Sequence, residues 1–258
     1  MSSDAVTDAD RGVAAALVAL PGVRAVSLGG SRALGLTDPR SDTDLYAWYR
    51  GSLSGAALRQ AALAHCADDE VLSFDVFGPE DHWHQDGSLV EVVYLDLDEI
   101  EGLATRARTE GLSGEVCATA FLHTAYASVP IEDPYDDLAR LRSELATYPE
   151  ATRVRQLAEL PVMAEEFASQ LRTAQARQDW PMVARRRAGL LDVAVSLVFA
   201  LNRRYHPGEK RLLVLVERCA VRPEGMVERL RSVCLADPDD PTLSGQFMDL
   251  IGEVVALS

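Results

Sequence analysis

Two aspartates separated by one residue are the feature of the sequence with the clearest chemical potential. Asp42 and Asp44 begin a run of β-forming residues, and residues two apart on a strand project from the same face. Two carboxylates held this close repel each other unless a cation lies between them. Mg²⁺ prefers carboxylate and phosphate oxygens. The spacing indicates a magnesium site, with a solvated strand edge as the alternative for an isolated pair.

A third acid extends the candidate cluster. Glu91 lies within a run of β-formers, and its parity puts it on the face opposite Val90 and Val92. A carboxylate among apolar neighbours is costly if it is buried without a partner, so it is expected to point into a cleft. Asp75 lies in a similar but shorter run and is the alternative third acid. We favour Glu91 because its strand is longer.

A glycine-rich turn precedes the aspartates. Gly29, Gly30 and Ser31 follow a short β-branched run, and glycines let the backbone approach a ligand closely. Amides at the start of a following helix, together with the Ser31 hydroxyl, would donate hydrogen bonds to phosphate oxygens. Such a turn alone is usually no more than a turn. Next to paired aspartates it indicates a site for a polyphosphate.

The elements that must position these residues alternate in type over the first hundred residues. Strands are predicted where β-formers run between turn residues, and helices where apolar residues recur at helical spacing. A polar turn over 79–87 is predicted to join the last two strands, so His82 and His84 are interpreted as loop residues. The predicted helices are 9–20, 32–36 and 56–66, and the predicted strands are 23–28, 42–49, 71–77 and 88–95.

The second half of the sequence is predicted to be helical. No strand is predicted after Asp98, and prolines at 130, 134, 161, 181, 207 and 223 are interpreted as helix ends. The fold class is therefore α+β. It combines an N-terminal catalytic domain over 1–110, a small mixed sheet with helices, and a C-terminal helical bundle over 111–258 that would bind the substrate.

The arrangement resembles the nucleotidyltransferase superfamily that includes polymerase β and the aminoglycoside and lincosamide adenylyltransferases. That family combines an apolar residue and a Gly-Gly or Gly-Ser pair, about ten residues, an Asp-x-Asp or Asp-x-Glu pair and a later acid between apolar residues. Here ten residues separate Ser31 from Asp42, and the resemblance covers 23–95. Thr43 departs from the family, which often has an apolar residue between the two acids.

The resemblance implies roles for single residues. Asp42 and Asp44 would bind one or two Mg²⁺ ions that bridge a triphosphate, and Glu91 would be a further metal ligand or the general base. The glycine turn, with Gly30 and Ser31 in contact, would hold the β- and γ-phosphates. ATP is the family's usual donor, so the reaction would transfer AMP.

A basic segment in an acidic chain gives two more candidates. Arg204 and Lys210 lie in the densest cationic stretch of the sequence, residues 202–211, and Lys210 is the single lysine of the sequence. We interpret both as candidate triphosphate ligands, with helix-end charge and solvation as the alternative.

Charge and composition narrow the partners. The net charge of -15 disfavours nucleic acid and suits a cationic small acceptor. The absence of a cationic leader and of an apolar run long enough for a bilayer predicts a cytoplasmic protein without a membrane partner.

Three functions therefore stand as hypotheses. The first is transfer of a nucleoside monophosphate to a hydroxyl of a small molecule, such as an aminoglycoside-like antibiotic, which would confer antibiotic resistance. The second is a toxin-type transferase that modifies RNA or protein. The third is a catalytically inactive nucleotide-binding module, which the clustered acids of the sequence argue against.

Overall fold

The structure is a computed structural model that describes residues 5–38, 41–66, 70–75, 79–85, 87–114 and 117–258, with only the backbone of Asp75. Its contacts divide the chain into two compact units. The first combines Met1–Ala104 with Thr124–Thr147, and the second combines Thr105–His123 with Tyr148–Ser258. The sequence-based boundary near residue 110, between a catalytic domain and a substrate-binding domain, stays a prediction.

The α+β class is confirmed. The described residues form a mixed sheet of six strands in the order β3-β4-β5-β2-β1-β6. The β2–β5 pair is parallel, and the other neighbouring pairs are antiparallel. The strands are β1 Val23–Leu28, β2 Thr43–Tyr49, β3 Leu72–Asp75, β4 Pro79–Gln85, β5 Ser88–Asp96 and β6 Val129–Glu132.

The helices precede, connect and follow these strands. They are α1 Asp8–Val18, α2 Gly30–Ala33, α3 Gly55–Leu63, α4 Leu97–Thr109, α5 Ala120–Ala127, α6 Asp137–Leu145, α7 Glu150–Ala176, α8 Trp180–Leu201, α9 Leu212–Glu217, α10 Met226–Leu235 and α11 Leu243–Ala256. In the part of the chain that the structure describes, no helix combines the length and apolar composition that a bilayer crossing needs.

One face of the sheet forms the core of the first unit. Leu45 of β2 and Val92 of β5 are fully buried there, against Val13 and Leu17 of α1 and Leu58 of α3. Side chains on a strand alternate between faces. The residues between these apolar positions, which include both Asp44 and Glu91, therefore project from the opposite face.

The polar turn predicted over 79–87 is wrong, because its described residues include strand β4. β4 alternates buried Asp81 and Trp83 with the more exposed His82. The buried Asp81 carboxylate accepts hydrogen bonds from Tyr94 Oη, at 3.0 Å, and from Ser73 Oγ. These partners come from other strands, so a polar sequence tolerates burial here. Val76 and Phe77 of the predicted third strand lie outside the described residues.

Two prolines also differ from the prediction. Pro130 lies in β6, a strand that the sequence did not predict. β6 is an edge strand of the sheet, where a missing N–H costs least. Pro161 lies inside α7 rather than at a helix end. Packing of α7 against α8 outweighs the lost hydrogen bond there.

The second unit is organised around α8. Asp179 caps the N-terminus of this helix, because its carboxylate accepts a hydrogen bond from the Met182 amide, and Pro181 occupies the first turn. Residues 193–201 are all buried, as expected for a core helix. The buried side chains of α7 recur along one stripe, as at Leu160, Ala164, Ala168 and Leu171.

Candidate metal and phosphate site

Three carboxylates converge on the face of the sheet opposite the core. Asp44 and Glu91 are direct register partners in the parallel β2–β5 pair, and Asp42 immediately precedes β2. One carboxylate oxygen from each of the three lies within 4.8 Å of the others, and all three side chains are half-buried. Among the described residues this is the one group of three or more acidic, histidine or cysteine side chains compact enough to share a metal ion.

The donor set suits a hard divalent cation. Octahedral Mg²⁺ with bonds of about 2.1 Å places its oxygen ligands about 3 to 4.2 Å apart, and the three carboxylate oxygens here all lie within 4.8 Å of one another. Two unit charges 4.8 Å apart repel by about 1 kcal/mol in water and about 3 kcal/mol at an effective dielectric of about 20. A bound cation would replace that repulsion with attraction.

The glycine turn packs directly on β2. A Cβ on Gly30, whose φ is +55°, would lie 1.6 Å from Asp44 Oδ2. A Cβ on Gly29 would lie 2.0 Å from the Tyr46 ring, and the Gly29 amide donates to the Asp44 carbonyl at 2.8 Å. Neither position therefore has room for a side chain, and the turn brings the backbone of Gly30 against a carboxylate of the cluster.

Ser31 supplies a hydroxyl without a partner. Its Oγ is buried and has no hydrogen bond to any described residue. Buried polar atoms are nearly always hydrogen-bonded, so an orphan of this kind needs an explanation. The helical bonding that follows begins with Ala33, whose amide donates to Gly29 O at 3.1 Å. A phosphate bound in the turn would accept hydrogen bonds from the Ser31 hydroxyl and from the backbone amides before Ala33.

Arg32 fixes the position of the acid pair. Its Nη2 donates to Asp10 Oδ2 at 2.6 Å, and its Nη1 donates to Thr43 Oγ1 at 2.8 Å. Thr43 is the residue that departs from the family pattern, and its hydroxyl is used as an acceptor. Burial raises the pKa of Asp10, but hydrogen bonds from Arg32 and Thr7 outweigh this effect and hold that pKa below its usual value. Asp10 is therefore an ionised partner for Arg32.

Tyr46 borders the cluster and was missed at the sequence level. Burial raises the pKa of its hydroxyl, and the charges of Asp44 and Glu91 raise it further. The hydroxyl is hydrogen-bonded to Thr124. Tyr46 therefore stays a neutral phenol beside the acids. Its position two residues after Asp44, on the same face, was the available signal.

His82 also borders the cluster, and its interpretation as a loop residue is wrong. It lies on β4 opposite Glu91, with Nδ1 3.8 Å from Glu91 Oε1 and Nε2 3.3 Å from Glu80 Oε2. Its ring contacts Phe74 with a centroid separation of 4.8 Å. His82 restricts the Glu91 side chain from the neighbouring strand. The Asp86-Gly87 dipeptide, a strong hairpin signal, would have given this register.

The remaining sequence candidates belong to other elements of the fold. Asp75 is on β3, and β4 separates that strand from β5, a backbone distance of about 10 Å. Arg204 and Lys210 are exposed residues of the second unit, after α8. Arg204 is hydrogen-bonded to Cys219. A role in nucleotide binding for these two cations stays a prediction.

Comparisons with known proteins give two similarities. A family model described as a domain of unknown function (DUF4037) matches residues 116–212. The fold is similar to the crystal structure of a nucleotidyltransferase-like protein from Exiguobacterium sibiricum, at 11% identity and a TM-score of 0.42, over 92% of this chain and 69% of that chain. A search of curated proteins gives no match.

Proposed function

We propose that this chain is a divalent-metal-dependent nucleotidyltransferase that moves a nucleoside monophosphate to a hydroxyl of a small molecule. The observation that carries the proposal is the convergence of Asp42, Asp44 and Glu91 beside a turn with an unpartnered Ser31 hydroxyl. ATP is the first donor to test. In this proposal residues 1–110 perform the chemistry, and residues 111–258 bind the acceptor.

The three acids would hold one or two Mg²⁺ ions. When bound, the metal neutralises charge that develops at the α-phosphorus and on the departing pyrophosphate. Asp44 is the best-positioned of the acids, because Gly30 leaves its carboxylate room and Gly29 anchors its backbone. The Gly30 amide and the Ser31 hydroxyl would bind the β- and γ-phosphates.

Glu91 would serve as a metal ligand or as the general base. As a base it accepts the proton of the acceptor hydroxyl while that oxygen bonds to the α-phosphorus and the bond to pyrophosphate breaks. Such a base contributes about 10²–10⁴-fold to the rate. The His82 ring, 3.8 Å from Glu91 Oε1, would hold the carboxylate in orientation for either role.

The acceptor is proposed to be cationic. A net charge of -15 attracts cations and repels phosphate backbones. An aminoglycoside-like antibiotic has both the positive charge and the hydroxyls that this chemistry requires, and its modification would give antibiotic resistance. Each of these finer assignments is tested by the acceptor panel below.

The first experiment measures pyrophosphate release with Mg²⁺, each labelled nucleoside triphosphate and a panel of acceptors. We expect release that depends on the acceptor, with label on a small molecule. Label on added RNA or protein would give the chain a macromolecular target instead. Tight triphosphate binding without any labelled product would leave a binding module and contradict the transferase.

Asp44→Asn tests the metal site directly. The variant is expected to lose turnover by at least about a hundred-fold and to lose the rise in melting temperature that Mg²⁺ gives the wild type. Circular dichroism and the melting temperature without metal establish that the variant is folded. Glu99→Gln, at an exposed acid of α4, is the matched control and should keep both properties. Unaltered turnover in Asp44→Asn would end the assignment.

A further inference from the structure

A groove in the second unit contains none of the residues assigned to metal, phosphate or proton transfer. Its volume is about 510 Å³, within the range of small-molecule sites. Side chains of α8, α10 and α11 and of the segment before α11 line it, and nearly all of them are apolar. Its principal walls are Trp180, Val183, Leu191, Pro238 and Phe247.

One cation stands in this apolar lining. Arg187 is the single charged residue among the described residues that line the groove. Its Nη1 donates to the Ala236 carbonyl at 3.0 Å, and its Nη2 is buried without a hydrogen-bond partner in the described ranges. A guanidinium with an unsatisfied nitrogen beside apolar walls is costly. A bound ligand with a negatively charged group would remove that cost.

The other ionisable side chain that lines the groove does not supply a negative charge. Cys234 also lines the groove, and burial raises the pKa of its thiol, although Arg187 acts in the opposite direction. The thiol is therefore neutral near pH 7. No carboxylate of the described chain forms a salt bridge with Arg187.

We propose that this groove binds a small aromatic monocarboxylate. The ring would pack against Trp180, whose exposed fraction is 41%, and against Leu191 and Pro238. The carboxylate would pair with the Arg187 guanidinium, whose planar fork matches it. Charge complementarity to Arg187 and the exposed ring of Trp180 together select this class of ligand. The site is independent of nucleotide chemistry, so it stands or falls separately from the transferase.

Trp180 provides a direct signal for binding. The chain has three tryptophans, and the other two, Trp48 and Trp83, are buried in the first unit. The intact chain is titrated with phenylbutyrate and with its neutral analogue phenylbutanol, and binding is followed by tryptophan fluorescence and by calorimetry. We expect the carboxylate to bind about ten-fold or more tightly than the alcohol.

Variants connect that preference to the groove. Arg187→Gln should remove the preference for the carboxylate, whereas Arg185→Gln, an exposed arginine on the same helix, should keep it. Ala188→Phe fills the groove from an exposed lining position and should abolish binding of both compounds. Far-ultraviolet circular dichroism and melting temperature establish that each variant is folded.

Several results would overturn the proposal. Equal affinity for the acid and the alcohol removes the role of charge, and binding that survives Ala188→Phe places the ligand elsewhere. Octanoate binding as tightly as phenylbutyrate removes the aromatic selectivity. Finally, Trp180 fluorescence could change with protein concentration alone, without any ligand. If sedimentation then shows a dimer, the groove is assigned to a second copy of the chain.

Discussion

Gly30 and Asp44 occupy a space that admits one side chain. Gly30→Ala would place a methyl group 1.6 Å from Asp44 Oδ2 at a φ of +55°, so the carboxylate must move out of the cluster. We expect a loss of about 1 to 3 kcal/mol in the free energy of unfolding. We also expect the stabilisation by Mg²⁺ to disappear, and both are measured by urea unfolding with and without the ion.

Gly35→Ala separates the two effects of that substitution. Gly35 has a φ of +64° and no atom within 4 Å of its added Cβ. The Gly35→Ala variant should therefore lose about 1 kcal/mol in the free energy of unfolding, the cost of a left-handed backbone. It should keep its response to Mg²⁺. If Gly30→Ala keeps that response as well, the close approach of the turn to Asp44 has no bearing on metal binding.

Much of the candidate site was predictable at this scale, because the two-residue period of a strand is fixed by backbone sterics. Parity alone put Glu91 opposite Val90 and Val92, and spacing alone put Asp42 near Asp44. The adjacency of β2 and β5 is a property of the whole sheet, and no local pattern contains it. His82 was missed for another reason: residues 79–87 were interpreted as a turn, although Asp86-Gly87 is a hairpin signal between two strands.

At the scale of elements, Arg32 joins α1, α2 and β2 through one guanidinium. It contacts Asp10 at the start of α1 and Thr43 at the start of β2, and Asp10 is nearly fully buried. Arg32→Gln leaves a buried carboxylate without its cation, so the free energy of unfolding should fall by about 3 kcal/mol at pH 7. Equilibrium unfolding in urea measures the change.

A double-mutant cycle with Asp10→Asn isolates the pair. The double variant should be less destabilised than the sum of the single variants, by about 1 to 3 kcal/mol. The folded pKa of Asp10 lies below its ordinary value of 3.8, so this coupling is present above pH 3.8 and is lost as the pH falls through the lowered pKa. Arg11→Gln, an exposed arginine of α1, should show no coupling.

Elements were predictable where local chemistry and tertiary context agree. β1 and β5 follow β-branched runs bounded by turns, and α1 follows apolar residues at helical spacing with a capping box at Thr7. β4 was missed because the partners of Asp81 come from β3 and β5. β6 was missed because Pro130 argues against a strand unless its edge position is known.

At the scale of the molecule, the second unit contains two histidines that acid would charge, the buried His206 and the half-buried His123. Burial lowers the pKa of His123 and of His206 to about 4. The Nε2 of each ring is buried and bonded to none of the described residues. The Gly208 amide donates to His206 Nδ1 at 3.2 Å, which requires that nitrogen to be unprotonated. Both rings are therefore neutral in the folded unit.

The sign of their contribution follows from proton uptake. Between about pH 6.5 and pH 4 the unfolded chain binds protons at these histidines and the folded chain does not, so stability is present above pH 6.5 and is lost as the pH falls. The loss approaches roughly 3 kcal/mol per histidine. Asp192 acts in the opposite direction, because burial and Glu209 raise its pKa to about 6, and the folded unit then gains protons below that pH.

Two variants with opposite effects test this balance. Equilibrium unfolding of the second unit is followed by Trp180 fluorescence from about pH 7.5 to about pH 4.5. His206→Gln removes one acid-sensitive group, so the loss of stability should become shallower, whereas Asp192→Asn removes the opposing group and should make it steeper. His84→Gln, at an exposed position, should follow the wild type. Parallel pH profiles for all four proteins would mean that these histidines do not set the acid stability of this unit.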